Sequence, residues 1–227
     1  MKQAMLFLMF VWMFVKAEVS HTIMPPALEP SIRLNSSDTS KPILFYISGD
    51  GGWNPFSLSL MQQFNKEGFA VIGLNAKEYF WTRKMPEQAA REVGAMLQQY
   101  LKAWHRKSII MAGYSFGADV APFIQARLNA GVSGAVTHTL LLSPSGKTDF
   151  EVHYLEMMGW DLNKGWPVIT EINKLLSTVV LVFGSQENTS LVKSVTLKKV
   201  QTILLPGGHH YEENTQLVAD KIIAALR

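Results

Sequence analysis

Short runs of apolar residues alternate along the chain with segments in which apolar residues recur at helical spacing. The runs have the length of buried strands, and they predict strands at 43–48, 70–75, 108–113, 137–143, 178–184 and 200–206. The helical spacing predicts helices at 56–68, 86–105, 116–128 and 214–227. Because nearly all-apolar strands alternate with helices, the pattern indicates an α/β fold with a mostly parallel sheet and helices on both faces.

A different pattern precedes the first of these strands. Lys2 is followed by the unbroken apolar stretch 4–15 and by a cleavage site that ends at Ala17, which is typical of a secretory signal peptide. A membrane-spanning helix needs about 20 apolar residues, so an uncleaved anchor is the less favoured alternative. We therefore expect a signal peptide at 1–17, an N-terminal tether with a short edge strand at 18–41, and a single domain at 42–227.

Composition and charge exclude several classes of function. The 227 residues include 21 Lys and Arg against 18 Asp and Glu, a formal net charge of +3 without a basic run, which gives no support for nucleic-acid binding. The absence of cysteine excludes disulfides and thiolate catalysis. The glycine-rich stretch 48–53 lacks the lysine of a P-loop and the spacing of a dinucleotide fingerprint. The adjacent His209 and His210 have no matching cluster of metal ligands, so we expect neither cofactor nor metal.

One serine stands where a predicted strand turns into a helix. Ser115 lies between Gly113 and Gly117 in a G-x-S-x-G motif, directly after the apolar run 108–113. In this context the motif is typical of a nucleophile elbow, which exposes the serine hydroxyl at the top of the sheet. Ser115 is therefore the candidate nucleophile.

A serine nucleophile needs a histidine base and an acid that orients it. In α/β hydrolases the chain order is serine, acid, histidine. Glu187 follows the strand predicted at 178–184, and His209 and His210 follow the last predicted strand. We predict a triad of Ser115, Glu187 and His209, with His210 orienting the loop or contacting substrate and remaining the alternative base.

The predicted oxyanion hole needs two backbone N–H groups. One is expected from Phe116, the residue after the nucleophile, and the other from Asp50 or Gly51 in the loop after the first core strand.

Two further segments border the predicted crevice. Tyr79, Trp81 and Arg83 follow the second core strand, so they are candidates for substrate binding, with Arg83 suited to a phosphate; packing against the following helix is the alternative. The insert 147–176 interrupts the alternation of strands and helices. Its start alternates like an edge strand, and the insert is expected to form either a packed loop with a short helix or a cap over the site.

The motifs SGDGGW, EYFWTRKMPEQ, GYSFGADVAPF and LPGGHHY, in this order and spacing, resemble those of the VirJ/AcvB bacterial virulence proteins. The resemblance extends from about residue 41 to the C-terminus, and it fits the short form with one hydrolase domain. It implies an α/β-hydrolase fold, export to the periplasm, and hydrolysis of aminoacyl-phosphatidylglycerol, notably the lysyl form, at the aminoacyl ester. It also implies that Ser115 and the histidine pair are the matching catalytic positions.

Some members of that family are linked to type IV secretion, so the expected partners are a membrane phospholipid and type IV secretion components. A cationic lysyl group would favour a nearby carboxylate, and by motif position the candidates are Asp50, Glu78 and Asp119. Two alternatives stay open: an esterase or lipase acting on another acyl ester, and a hydrolase-fold adaptor or chaperone of the secretion system.

Overall fold

A computed structural model describes residues 28–153 and 165–226. Its strands, in chain order, are β1 (Ile32–Leu34), β2 (Ile43–Ile47), β3 (Ala70–Leu74), β4 (Ile109–Tyr114), β5 (Val136–Leu142), β6 (Lys147–Thr148), β7 (Trp166–Pro167), β8 (Thr178–Gly184) and β9 (Val200–Leu205). Its helices are α1 (Pro55–Lys66), α2 (Ala76–Tyr79), α3 (Pro86–Ala103), α4 (Phe116–Gln125), α5 (Ala130–Ser133), α6 (Val168–Ile172) and α7 (Thr215–Ala225), with 3₁₀ turns at Ser190–Ser194 and Tyr211–Glu213.

Seven strands form one sheet in the order β1-β3-β2-β4-β5-β8-β9. All neighbours are parallel except β1, which runs antiparallel to β3. The six apolar strands and the four helices predicted from spacing are all present, and the α/β-hydrolase fold class is confirmed. Because the strands are parallel, the loops that follow β2, β4, β8 and β9 meet at one edge of the sheet, where open α/β sheets place their sites.

The sheet carries a hydrophobic core on each face. In β2, Phe45 and Ile47 pack into the core beneath α3 and α4, while Leu44 and Tyr46 pack into the core beneath α1 and α7. Successive side chains of a strand point to opposite faces, so a strand buried on both faces must be apolar throughout. This explains why the strands are recognisable as unbroken apolar runs.

The segment predicted as a tether takes part in the fold. β1 pairs with β3 through Ile32 opposite Gly73, so the expected edge strand is present and the folded unit begins before residue 42. Arg106, which is 5% exposed, donates hydrogen bonds to the backbone carbonyls of Ser36, Asp38 and Lys41. The signal peptide predicted at 1–17 lies outside the described residues. Within the described part of the chain, no helix is both long and apolar enough to cross a membrane.

The insert differs from its predicted structure. Phe150 and Val152 do not form an edge strand: Phe150 has a positive φ of 64°, and both side chains are buried. A small antiparallel pair, β6 with β7, forms instead. The insert is held against the loop after α2 by two backbone hydrogen bonds, from Lys84 N to Phe150 O and from Val152 N to Phe80 O. Tyr154, the third residue of the expected strand, lies outside the described residues.

Candidate active site

Ser115 occupies a strained turn between β4 and α4. Its φ and ψ are 53° and −121°, a combination that L-residues rarely adopt and that is found mainly at functional sites. Glycine is required on both sides, because a Cβ on Gly113 would lie 2.2 Å from the carbonyl oxygen of Gly117, and one on Gly117 would lie 2.2 Å from that of Ile47. The close packing of strand, helix and neighbouring strand thus forces the turn that presents Ser115.

Glu187 and His209 are brought together from the loops after β8 and β9. His209 Nδ1 lies 2.8 Å from Glu187 Oε1. The Glu187 side chain is 16% exposed and that of His209 is 43% exposed, so the carboxylate is shielded while the ring faces the solvent side of the crevice. A carboxylate on Nδ1 fixes the tautomer that leaves Nε2 free to accept a proton.

Tyr114 connects the histidine loop to the strand that carries Ser115. Its hydroxyl donates to the backbone carbonyl of His209 at 3.1 Å and lies 2.9 Å from His210 Nδ1. The ring centroids of Tyr114 and His209 are 5.2 Å apart. Burial, together with the nearby charge of Glu187, raises the pKa of Tyr114 above its usual range, so this hydroxyl stays protonated. His209 therefore lies beside Ser115's strand, and the ring of His210 is held by Tyr114.

The hydroxyl of Ser115 has no hydrogen bond to any residue within the described segments, so no hydrogen bond joins it to His209 in this structure. Catalytic hydrogen bonds are often long without substrate and tighten when it binds.

The candidate oxyanion donors converge on Ser115. A Cβ on Gly49 would lie 3.6 Å from Ser115 Cβ, which places the loop after β2 against Ser115. Gly51 N–H already donates to Asp50 Oδ1 at 2.8 Å, whereas the N–H groups of Asp50 and Phe116 have no acceptor among the described residues. The geometry therefore favours Asp50 over Gly51 as the partner of Phe116.

The aromatic segment after α2 adjoins the site through Phe80, whose ring centroid lies 5.4 Å from that of Phe116. Trp81 is 58% exposed, and Arg83 stacks on the insert residue Trp166 at 5.6 Å. The hydroxyl of Tyr79 donates to Glu92 Oε2 at 2.5 Å.

A cavity of about 180 Å³ lies beside this segment. It is lined by Leu28, Glu29, Ser31, Leu74, Asn75, Glu78 and Tyr79. Ser115 is not among them. Of the predicted substrate contacts, Trp81, Arg83 and His210 are thus exposed, while Tyr79 is half-buried and already has an internal partner.

Asp119, one of the carboxylates considered for a lysyl group, is only 5% exposed. Its two oxygens accept hydrogen bonds from the backbone N–H and the hydroxyl of Ser145, at 2.6 and 2.7 Å. Burial raises the pKa of Asp119 to about 8 against the effect of these donors, and the charge of Asp50 adds to the rise. Asp119 is therefore a buried link between α4 and the loop after β5 rather than a free carboxylate.

Two residues that sequence reasoning missed contact the acid. Glu187 Oε2 accepts from the backbone N–H of Gly184 at 2.6 Å and from the hydroxyl of Ser143 at 2.7 Å. The Ser143 hydroxyl also lies 2.5 Å from the hydroxyl of Tyr211. The position of Ser143 at the end of a predicted strand was a signal that could have drawn attention to it.

Within the described chain, one group of side chains could hold a metal ion. One ligand atom each of Asp149, Glu151 and His153 lies within 4.8 Å of the others, and His153 Nε2 is already 2.7 Å from Asp149 Oδ2. This cluster lies in the insert. None of the residues of the Ser115 site belongs to it.

Solved structures share this fold at low sequence identity. Est1E from Butyrivibrio proteoclasticus matches with a TM-score of 0.59 and 16% identity, over 86% of this chain and 92% of that one. A membrane phospholipase A described as a bacterial virulence factor matches with a TM-score of 0.65 and 14% identity, over 88% and 84%. MenH from S. aureus matches with a TM-score of 0.60 and 12% identity, over 87% and 97%. At these identities the likeness establishes the fold alone.

No curated protein matches the chain by sequence. The family model described as bacterial virulence protein (VirJ) matches residues 42–227, which includes the whole Ser115 site and all but one strand of the sheet. The chain therefore belongs to the VirJ family of bacterial virulence proteins.

Proposed function

We propose that the protein is a periplasmic serine hydrolase that cleaves the aminoacyl ester of aminoacyl-phospholipids such as lysyl-phosphatidylglycerol. The observation that carries this proposal is the hydrogen bond between His209 Nδ1 and Glu187 Oε1, in a loop that packs on Tyr114 directly before the strained Ser115. A binding protein has no need of a carboxylate on the Nδ1 of a histidine that packs on the strand leading to such a serine. The same arrangement is what acyl transfer through a serine requires.

The proposed reaction proceeds in two steps. Ser115 Oγ attacks the ester carbonyl while His209 Nε2 takes its proton, and the N–H groups of Phe116 and Asp50 stabilise the oxyanion. His209 then gives that proton to the leaving glycerol oxygen, which releases the phospholipid and leaves the aminoacyl group on Ser115. Water, activated by His209, frees the amino acid and restores the serine.

The substrate class rests on the resemblance of the motifs to the VirJ/AcvB family, and the charges of the site are compatible with it. Of the three carboxylates considered for the lysyl ammonium, Asp119 is engaged by Ser145, and Glu78 lines the cavity beside β3. Asp50 directly follows Gly49, which adjoins Ser115, and its Oδ2 has no partner in the described residues. We propose that the carboxylate of Asp50 binds the lysyl ammonium group.

A membrane substrate requires contact with a lipid surface. Trp81 and Met85 are 58% and 53% exposed in the loop that adjoins Phe116 through Phe80, and the exposed Arg83 lies between them in the chain. Tryptophan is favoured at lipid interfaces, and cations are attracted to anionic lipids. We propose that this loop contacts the outer face of the inner membrane while Ser115 receives the ester.

Covalent labelling with a fluorophosphonate probe tests the serine-hydrolase part of the proposal. The probe should modify the protein at Ser115, as read by peptide mass spectrometry, and Ser115→Ala should remain unmodified although folded. A folded protein that the probe does not modify would contradict catalysis by Ser115 and favour an adaptor role in type IV secretion.

A further inference from the structure

The acid of the proposed triad is held by a buried hydrogen-bond relay. Ser143 and Tyr211 are 4% and 1% exposed, and their hydroxyl oxygens lie 2.5 Å apart. Ser143 Oγ lies 2.7 Å from Glu187 Oε2. The relay joins the ends of β5, β8 and the segment after β9, which are the three places where the acid and histidine loops are anchored.

The chemistry of the groups sets the direction of the relay. An ionised carboxylate only accepts hydrogen bonds, so Ser143 donates its proton to Glu187. The oxygen of Ser143 is then free to accept the proton of Tyr211. The other acceptor near Tyr211, the carbonyl of Val182, lies at 3.3 Å and already receives the backbone N–H of Ser143 at 2.8 Å. Protons therefore point from Tyr211 to Ser143 to Glu187.

The relay also fixes the orientation of the carboxylate. Ser143 Oγ and Gly184 N both donate to Oε2, so Oε1 is the oxygen left to face His209 Nδ1. Tyr211 lies two residues after His209, and its buried ring packs against Phe56 with centroids 5.6 Å apart. Tyr211 thus anchors the histidine loop and also donates a hydrogen bond to Ser143, which orients the carboxylate of Glu187.

We propose that Ser143 is a positioning residue for the hydrolase, acting through Glu187, and that Tyr211 supports it by directing the Ser143 proton. This inference rests on the proposed function. Ser143 keeps its role only while the carboxylate of Glu187 is present. Its loss should reduce the reactivity of Ser115 without changing the binding of substrate.

A double-mutant cycle tests this coupling. The rate of fluorophosphonate labelling and the kcat and KM for a soluble p-nitrophenyl ester are measured for Ser143→Ala, Glu187→Gln, the double variant and Tyr211→Phe. Ser57→Ala is the matched control, since Ser57 is a fully buried serine paired with another tyrosine, Tyr46, at 3.1 Å. Circular dichroism and the melting temperature establish that each variant is folded.

Ser143→Ala is expected to lower the labelling rate and kcat on the order of tenfold, as for a hydrogen bond to a charged group, with KM unchanged. In the Glu187→Gln background the same substitution should have no further effect, and Tyr211→Phe should show a smaller loss. Equal rates for Ser143→Ala and Ser57→Ala would overturn the inference. So would an equal loss from Ser143→Ala in the unsubstituted protein and in the Glu187→Gln variant.

Failure of the proposed function has a separate signature, which is the absence of labelling in the unsubstituted protein. The relay is then read from the ¹⁵N NMR signals of the His209 ring. Ser143→Ala should shift the Nδ1 signal if Ser143 holds Glu187 against His209, whereas Ser57→Ala should not. An unchanged Nδ1 signal in Ser143→Ala would overturn the inference independently of any activity.

Discussion

Asp119 and Ser145 are joined twice, because the backbone N–H and the hydroxyl of Ser145 each donate to one oxygen of the Asp119 carboxyl. Asp119 lies in the first turn of α4, the helix that follows Ser115. The pair therefore fastens the loop after β5 to the helix that positions Ser115.

The burial of Asp119 makes stability depend on pH. Its pKa is raised from an ordinary value of 3.8 to about 8, so between these values the folded state holds a proton that the unfolded state has lost. Stability conferred by this group is therefore lost as pH rises through that window. Asp119→Asn removes the titration. The free energy of unfolding is measured with urea for Asp119→Asn and for the unsubstituted protein. The difference, variant minus unsubstituted, should rise by ~1–3 kcal/mol from pH 5 to pH 7.5.

The exposed Asp38 has a lowered pKa through its bonds to Ser40, so Asp38→Asn is the control that should lack this trend. A difference between Asp119→Asn and the unsubstituted protein that stays constant with pH would contradict the buried, proton-holding state of Asp119.

The turn at Ser115 should hold backbone strain that function requires. Ser115→Gly removes the Cβ at φ 53°, where strain is worth roughly 1–3 kcal/mol, against an entropic loss of about 0.5–1 kcal/mol for glycine. We expect the free energy of unfolding of Ser115→Gly, measured with urea, to exceed that of Ser115→Ala by ~1 kcal/mol. Both variants should be inactive. If Ser115→Gly proves the less stable of the two, the turn is not strained.

Asp50 should set the preference for a cationic aminoacyl group. Asp50→Asn keeps the backbone N–H and the side-chain acceptor of Gly51, but it removes the negative charge. Its kcat/KM for lysyl-phosphatidylglycerol should fall by about tenfold, in line with one charged hydrogen bond, while that for alanyl-phosphatidylglycerol stays nearly constant. The ratio of the two rates is the measurement, and Glu78→Gln is the comparison. An unchanged ratio in Asp50→Asn would assign the preference elsewhere.

Trp81 should contribute to membrane contact. Trp81→Ala should weaken co-sedimentation with phosphatidylglycerol vesicles by about tenfold or more, since burial of an aromatic side chain supplies about 1.5–3 kcal/mol, and it should leave hydrolysis of a soluble ester intact. Leu176→Ala is the control, because Leu176 is 91% exposed but precedes β8, at the opposite edge of the sheet. Equal binding by the Trp81 and Leu176 variants would mean that another surface meets the lipid.

Much of the fold was predictable because both faces of the sheet are covered. Apolar runs such as 43–48 and 108–113, each followed by a segment of helical spacing, predict buried strands, and the order of the strands then places Ser115, Glu187 and His209 at one edge. The contact between Glu187 and His209 was predictable for the same reason, since two parallel neighbouring strands end side by side.

What escaped prediction depends on side chains that meet only in three dimensions. Nothing in the spacing of Ser143 and Tyr211 indicates that their hydroxyls form a chain of hydrogen bonds to Glu187. For Tyr79 both substrate contact and packing against the following helix were open, and its hydroxyl bonds to Glu92 on that helix. Phe150 and Val152 alternate like a strand, but both are buried against the Phe80 loop because backbone bonds to Phe80 and Lys84 hold that segment.

The most direct test of the central claim is product analysis with the proposed substrate. The purified protein and its Ser115→Ala variant are incubated with vesicles that contain lysyl-phosphatidylglycerol, and the products are identified by mass spectrometry. The account predicts free lysine and intact phosphatidylglycerol from the unsubstituted protein and neither from the folded variant. Release of fatty acids, or release of lysine that survives in Ser115→Ala, would contradict it.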